Sequence, residues 1–412
     1  MSLGRRTALA ALAMPFILPA ATRAQALRPL RFGILGDLSG PYRDLSGPGT
    51  LVCVNQAIAD FTAAGGSVPT TVIQADHQHK ADVGSAIARQ WFDSGEADVI
   101  LEVNNSAIAL AVATLAEQSD RVFLATGPAS ADLTGPRCNA NMIHWTYDTW
   151  MLANGTGTAG VKAGGTSWFF LTPNYTFGQA LQRDTSAAVL RAGGTVLGAV
   201  SYPFPATTDF SSFLVQAQAS GAKVVGLANA GTDITNSVKQ AHEFGLTRPG
   251  GGTRLAGLLA LLNDVRSAGL EAAQGMLLTE PFYWDLNDRT RRFTAKVLPH
   301  MPNGLYPSTN HAGAYSAALH CLKAVQAMGG AEKLASGRAL VAQMKAMPTD
   351  DDGLGVGRIR EDGRKIHNAY LFEVKAPGQN KGDWDLYNLQ STIPAEQAFR
   401  PMAEGGCPLV HS

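Results

Sequence analysis

The chain has 412 residues, with 45% hydrophobic and 16% charged side chains, which is enough apolar material for a large core and too much for a disordered polymer. Thirty-three basic and 33 acidic residues balance to a formal charge of +0. No basic excess is available to neutralise phosphates, so a nucleic-acid partner is excluded as a leading reading.

In chain order, the first segment is MSLGRRTALAALAMPFILPAATRAQA. Arg5 and Arg6 form a basic n-region, Ala8 to Ala21 an uncharged h-region, and Ala24 and Ala26 a small-residue cleavage pattern. Residues 1–26 therefore read as a secretory signal peptide, which places the mature protein in the periplasm, and the Arg5-Arg6 pair leaves general and twin-arginine export both open. The first cysteine is Cys53, so no lipid anchor follows the cleavage site. Beyond this segment no run of 18 apolar residues occurs, and no membrane span is expected.

Residues 30–36 (LRFGILG) read as a buried strand. Leu51, Val54, Ile58 and Phe61 recur at helical spacing. Strand 70–75, a helix carrying Val83, Ile87 and Trp91, strand 98–103, helix 106–118 and strand 121–125 follow. The alternation restarts after residue 150, with strand 166–171, helix 176–192, strand 195–200, a helix bearing Phe210, Phe213, Leu214 and Ala217, strand 223–228 and helix 233–245. Strands near 254–260 and 276–279 precede helices 288–298, 310–328 and 331–346. The stretch 354–375 reads as strands about a turn at Glu361-Asp362-Gly363. Strand–helix alternation of this kind predicts an α/β fold of two tandem units, each a parallel sheet covered by helices on both faces.

Ligands of such sheets bind beyond the carboxyl ends of the strands. Polar clusters stand at several of those ends: Asp37 to Tyr42, Asn104-Asn105-Ser106, Thr126 to Ser130, Pro173-Asn174-Tyr175 and Asn229 to Asp233. Their free N–H groups and helix dipoles suit a carboxylate. Taken singly, Ser106, Ser130 and Asp233 are explained as well by helix capping; the repetition at several strand ends favours a shared site.

Four cysteines permit three complete pairings. None has CxxC spacing, which disfavours zinc. Cys53 and Cys321 sit in apolar helical patterns and read as core; Cys138 and Cys407 lie in loop-like segments and are the preferred bridge. Asp76, His77 and His79 could ligate a metal at a strand end, against the commoner reading of solvated loop histidines. HExxH, GxSxG and P-loop patterns are missing, and Gly47-x-Gly49 lacks the third glycine of a dinucleotide fingerprint. No cofactor and no catalysis are expected. Trp145 and Trp150 read as core, Arg43 and Asp44 as a solvated edge, and Phe282-Tyr283-Trp284 as either cleft or hinge packing.

Taken together, DLSGPYRDLSGPG, ADHQHK, IHWTYDTW, LTPNYTFG, GLANAGTD, TEPFYWDLND and GRIREDGRKIHNAYLF resemble the solute-binding proteins of ABC transporters, of the leucine/isoleucine/valine-binding type. The resemblance implies two Rossmann-like lobes, joined by a three-strand hinge, closing on a small carboxylate that is handed to a membrane permease. It divides the chain into 29–146 plus 281–347 and 147–280 plus 348–412. The implied ligand-binding residues are Tyr42, Asn105, Ser106, Gly127 and Ser130 on the first lobe, Tyr147 beside the first crossover, and Tyr175 and Asp233 on the second lobe. Asp148 lies beside the same crossover. One departure stands out. Amino-acid-binding members hold the α-ammonium with an acid just after the strand near 254–258, where this chain has Leu258 or Leu259. An apolar residue cannot balance a buried ammonium. An aromatic or keto acid then fits better than an amino acid, unless Asp233 or Glu280 supplies a displaced charge. A ligand-sensing receptor domain of the same fold is the alternative to a free carrier.

Overall fold

The computed structural model describes Met1, residues 27–247 and residues 253–411. The expected signal peptide lies outside the described residues, apart from Met1.

Two sheets organise these residues. The first has the order β2-β1-β3-β4-β5 and is parallel throughout. It is built from β1 (Leu30–Gly36), β2 (Thr70–Asp76), β3 (Val99–Glu102), β4 (Val122–Ala125) and β5 (Met142–His144). Helices α1 (Gly47–Ala63), α2 (Ala81–Ser94) and α3 (Ser106–Gln118) connect its first four strands. Such strands are covered on both faces, and β3 and β4 are buried at every position. Next come α4 (Thr149–Leu152), a π-turn over Ala153–Gly157, and α5 (Thr158–Lys162).

The second sheet contains β6 (Ser167–Pro173), β7 (Thr195–Tyr202), β8 (Val224–Leu227), β9 (Arg254–Gly257) and β10 (Leu277–Glu280). Helices α6 (Thr176–Arg191), α7 (Ser211–Ala219), α8 (Thr232–Glu243), α9 (Leu262–Ala268) and α10 (Leu270–Ala273) lie between them. The chain then returns to the first layer. There α11 (Asp288–Val297), α12 (Thr309–Ala327) and α13 (Gly337–Ala346) complete the core around β1, β3 and β4. A short hairpin, β11 (Arg358–Ile359) and β12 (Lys365–Ile366), lies beside β5 through a bridge between His144 and Arg364. The chain finally adds β13 (Ala369–Val374) antiparallel to β10 and β14 (Tyr387–Ile393) antiparallel to β13, followed by α14 (Ala395–Ala398). The full order of this sheet is β14-β13-β10-β9-β8-β6-β7. The α/β architecture of two parallel-sheet lobes is the one the residue pattern predicts.

Short elements escape the periodicity. β5 has three residues and was not anticipated; β14 is a mostly exposed edge strand. The expected helix 331–346 is interrupted. Gly329 and Gly330 adopt positive φ, Ala331–Lys333 forms one 3-10 turn, and Ser336 restarts the helix by accepting the Ala339 N–H at 3.0 Å.

The first and third passages between the sheets are bound to each other. Arg364, fully buried, donates to the carbonyls of Thr146 and Tyr147 and to that of Lys365. His367 Nε2 bonds Thr146 O at 2.8 Å. At the second passage, Glu280 accepts from Thr309 Oγ1 at 2.7 Å and from the Tyr387 hydroxyl at 3.0 Å. Cys138 and Cys407 form the disulfide, fixing the chain's end to the loop between β4 and β5. Cys53 and Cys321 are buried thiols. Trp145 is core, donating to Ser316 Oγ at 2.9 Å, whereas Trp150 is only partly buried beside Arg191. Phe282 packs on Phe293, and Tyr283 and Trp284 bond the Trp384 carbonyl, so this trio packs beside the second passage and not in the cleft. Arg43 and Asp44 are exposed and pair with each other.

Candidate functional site

The loop after β1 is organised by one buried carboxylate. Asp37 accepts the N–H groups of Gly40 at 2.6 Å and Tyr42 at 2.7 Å, and the Nε2–H of His79 at 2.7 Å. Burial opposes its ionisation, yet these bonds and the neighbouring imidazole hold it below the usual carboxylate range. A side chain at Gly40 would meet the Asp37 oxygens at 2.8 Å, so the loop needs glycine there. The turn swings Tyr42 into the cleft.

His77 and His79 are buried, which corrects the solvated-loop expectation. His79 Nδ1 accepts from Asn105 Nδ2 at 3.1 Å. His77 Nδ1 accepts the His79 N–H, so its Nε2–H donates to Asn104 Oδ1 at 2.8 Å. Burial holds the His77 pKa down at about 4. Among the described residues no group of three or more His, Cys, Asp or Glu side chains is arranged to hold a metal. These histidines serve as braces of the β1 and β3 loops.

Between the sheets lies a narrow cavity with only about 10 Å³ of free space, room for about one water. The first layer contributes Tyr42, Leu45, Asn104, Ser106, Gly127 and Ala129, together with Asn310 from α12. Tyr147 enters from the first passage, and Tyr175, Phe177, Ala230 and Leu259 form the opposite wall. No lining residue is charged. The walls touch at the rim: the Tyr42 and Tyr175 hydroxyls are 2.6 Å apart, and Phe204 stacks on Tyr175 with centroids 4.5 Å apart. Nearby, the Thr232 N–H donates to Pro41 O at 3.1 Å. This approach is possible because residue 231 is glycine. Its φ is +62°, and a Cβ there would meet Pro41 O at 2.3 Å.

Of the eight residues named from the sequence, the cavity brings together Tyr42, Ser106, Gly127, Tyr147 and Tyr175. Three lie elsewhere. Asn105 caps α3, its Oδ1 accepting from Ala107 and Ile108 N–H. Ser130 caps the following 3-10 turn and donates its N–H to Ser106 Oγ at 3.2 Å. Asp233 accepts from the Tyr202 hydroxyl at 2.8 Å, and burial pushes its carboxyl up to about 6. Asp148 caps α4 and faces Arg364. Sequence reasoning missed Asn104, although it adjoins the residues chosen, and Asn310, whose helix begins far along the chain.

Acids do gather behind the walls. Burial pushes Glu102 up to about 7, Asp264 to about 7 and Glu280 to about 8. Glu102 Oε2 accepts from Thr50 and Thr126, and a Cβ at Gly127 would meet its Oε1 at 2.6 Å. Gly127 thus separates this carboxyl from the cavity and has no room for a side chain. Leu259 lines the cavity and Leu258 is buried beneath it.

A fold of two sheet layers meeting at such a cleft has known counterparts, and residues 29–382 match the family model described as "Periplasmic binding protein". The chain belongs to this family. It is a type I, ABC-transporter-type periplasmic binding protein, related to the branched-chain amino acid group. A periplasmic binding protein from Burkholderia mallei is 42% identical over 92% of this chain and 99% of that one, with a TM-score of 0.86. A branched chain amino acid ABC transporter periplasmic ligand-binding protein from Burkholderia xenovorans is 36% identical over 92% and 99%, with a TM-score of 0.80. An ABC transporter solute binding protein from R. palustris, solved in complex with benzoate, is 18% identical over 93% and 100%, with a TM-score of 0.78, and shows the shared fold alone. No curated protein matches the chain. Family members are substrate-binding transport proteins. No helix among the described residues is long and apolar enough to cross a membrane.

Proposed function

We propose that this periplasmic binding protein captures a small carboxylate that lacks an α-ammonium, such as an aromatic or keto acid, in the periplasm. Hinge closure then presents the loaded form to an ABC permease. The observation that carries this reading is the lining itself. The Ser106 hydroxyl offers a neutral hydrogen-bonding group for a carboxylate, whereas the Gly127 N–H is given to Glu102 O at 3.3 Å. Tyr175, Phe177, Ala230 and Leu259 offer an apolar wall, with no acid to receive an ammonium. Asp233 and Glu280, the candidates for a displaced acid, are engaged by Tyr202 and by Thr309 and Tyr387. The walls leave only about 10 Å³ of free space between them, so the lobes part for a ligand to enter. The benzoate held by the R. palustris protein is an acid of this chemistry.

The moving bodies are 29–146 with 281–347 and 147–280 with 369–412, the 348–368 stretch riding on the first through β5. Ligand touching both walls favours the closed arrangement by its differential contacts. Micromolar affinity requires about 8 kcal/mol, within reach of two or three charge-assisted bonds at about 1.5–3 kcal/mol each and one buried ring. Isothermal titration against benzoate, 4-methyl-2-oxopentanoate and leucine tests the reading. An acid without an ammonium should bind more tightly than leucine; tightest binding of leucine, or no binding of any acid, overturns it.

A further inference from the structure

Hydrogen-bonding capacity is unevenly spent around the cavity. Each amide atom of Asn104 has a partner, Nδ2 donating to Ser46 Oγ at 2.6 Å and Oδ1 accepting from His77. Tyr147 gives its proton to Gly127 O at 3.0 Å. Ser106 Oγ accepts the Ser130 N–H, and Tyr42 and Tyr175 bond each other, so Ser106 and one of the two tyrosines retain a proton with no protein acceptor.

Asn310 presents the opposite case. It is 1% exposed, lines the cavity, and its Oδ1 has no hydrogen-bond partner. Because the Tyr147 proton goes to Gly127, only lone pairs of that hydroxyl face the Asn310 amide. Those lone pairs suit Nδ2 as a donor, and Oδ1 is the amide atom that is buried without a partner. Buried acceptors are rarely left unpaired without a reason. The donors suit a carboxylate; the lone acceptor needs a neutral donor, since one amide oxygen cannot balance an ammonium.

Building on the carboxylate reading above, we propose that Asn310 is a specificity-determining residue whose Oδ1 accepts a hydrogen bond from a ligand hydroxyl. The preferred ligand class is then a hydroxylated small acid, and the unsubstituted acid of the same skeleton is discriminated against because it leaves Asn310 unpaired.

The test is titration calorimetry on the mature protein and its Asn310→Leu and Asn310→Ala variants. The probes are benzoate with 3- and 4-hydroxybenzoate, and 4-methylpentanoate with 2-hydroxy-4-methylpentanoate. Circular dichroism checks that each variant is folded. In the wild type, at least one hydroxy acid should bind roughly tenfold or more tightly than its parent acid. In folded variants each hydroxy acid and its parent acid should bind within about threefold of one another. Equal or tighter binding of both parent acids by the wild type overturns the inference and leaves the carboxylate reading intact. So does a margin that survives in a folded variant. If neither variant folds, the wild-type ranking alone decides. Failure of all five acids to bind removes the carboxylate reading and the inference with it.

Discussion

The wall supplied by the first sheet and the wall supplied by the second differ in chemistry and in support. The first carries Asn104, Ser106, Gly127 and Asn310, held from behind by Asp37, His77, His79 and Ser46 in a network that needs nothing from the other lobe. The second carries Tyr175, Phe177, Ala230 and Leu259, side chains that need only to be packed. For the acid proposed above, the contrast implies an order of events: the pre-organised polar surface would receive the charged end first, and burial of apolar surface on the second wall would drive closure.

That comparison can be broken at four points. Gly231→Ala attacks closure itself, since the new Cβ falls on Pro41 O and the backbone conformation is one only glycine adopts readily. Affinity for the preferred acid should fall by roughly a hundredfold or more, and X-ray scattering should record no compaction on adding ligand. Compaction in the variant would show that the second wall is not limited by this contact.

Glu102→Gln probes the support behind the polar wall. The Glu102 carboxyl is pushed up by burial from 4.5 to about 7. A raised acid pKa stabilises the folded protein fully below the unfolded value and loses that contribution as pH rises through the folded value. Wild type should therefore lose about 3 kcal/mol relative to the variant between pH 4.5 and pH 8, at about 1.4 kcal/mol per unit. Denaturant unfolding at several pH values measures it; parallel profiles for the two proteins would contradict the assignment.

Ser106→Ala removes a polar-wall donor and should weaken carboxylate binding by roughly ten- to a hundredfold, the worth of one charge-assisted bond. Thermal stability should fall as well, by about 1–3 kcal/mol, because the buried Ser130 N–H loses its acceptor. Calorimetry distinguishes this from an unaffected affinity, which would move the carboxylate elsewhere in the cavity. Tyr175→Phe deletes the hydroxyl bond to Tyr42 across the rim and keeps the ring on Phe204. The expected loss is about threefold to tenfold in affinity, visible as faster dissociation in stopped-flow measurements.

Much of the molecule was legible before any coordinates. Apolar runs such as LRFGILG and the spacing of Leu51, Val54, Ile58 and Phe61 report local geometry directly. A three-residue strand, an exposed edge strand, a glycine-interrupted helix and short helices such as α5 and α9 fell below that signal. The preferred cysteine pair was legible too, because the two apolar helical positions were recognisable as core.

The site divides along a different line. Strand ends are local facts, and the family resemblance pointed to Tyr42, Ser106, Gly127 and Tyr175 at or near them. Whether Asn105, Ser130 or Asp233 is spent on a cap or on Tyr202, and whether Asn310 is left with an open acceptor, was not. A side chain's periodic position follows from its neighbours along the chain. Its remaining hydrogen-bonding capacity depends on groups that only folding brings within 3 Å, and in this cleft that decides which walls are polar and which atoms are free to meet a ligand.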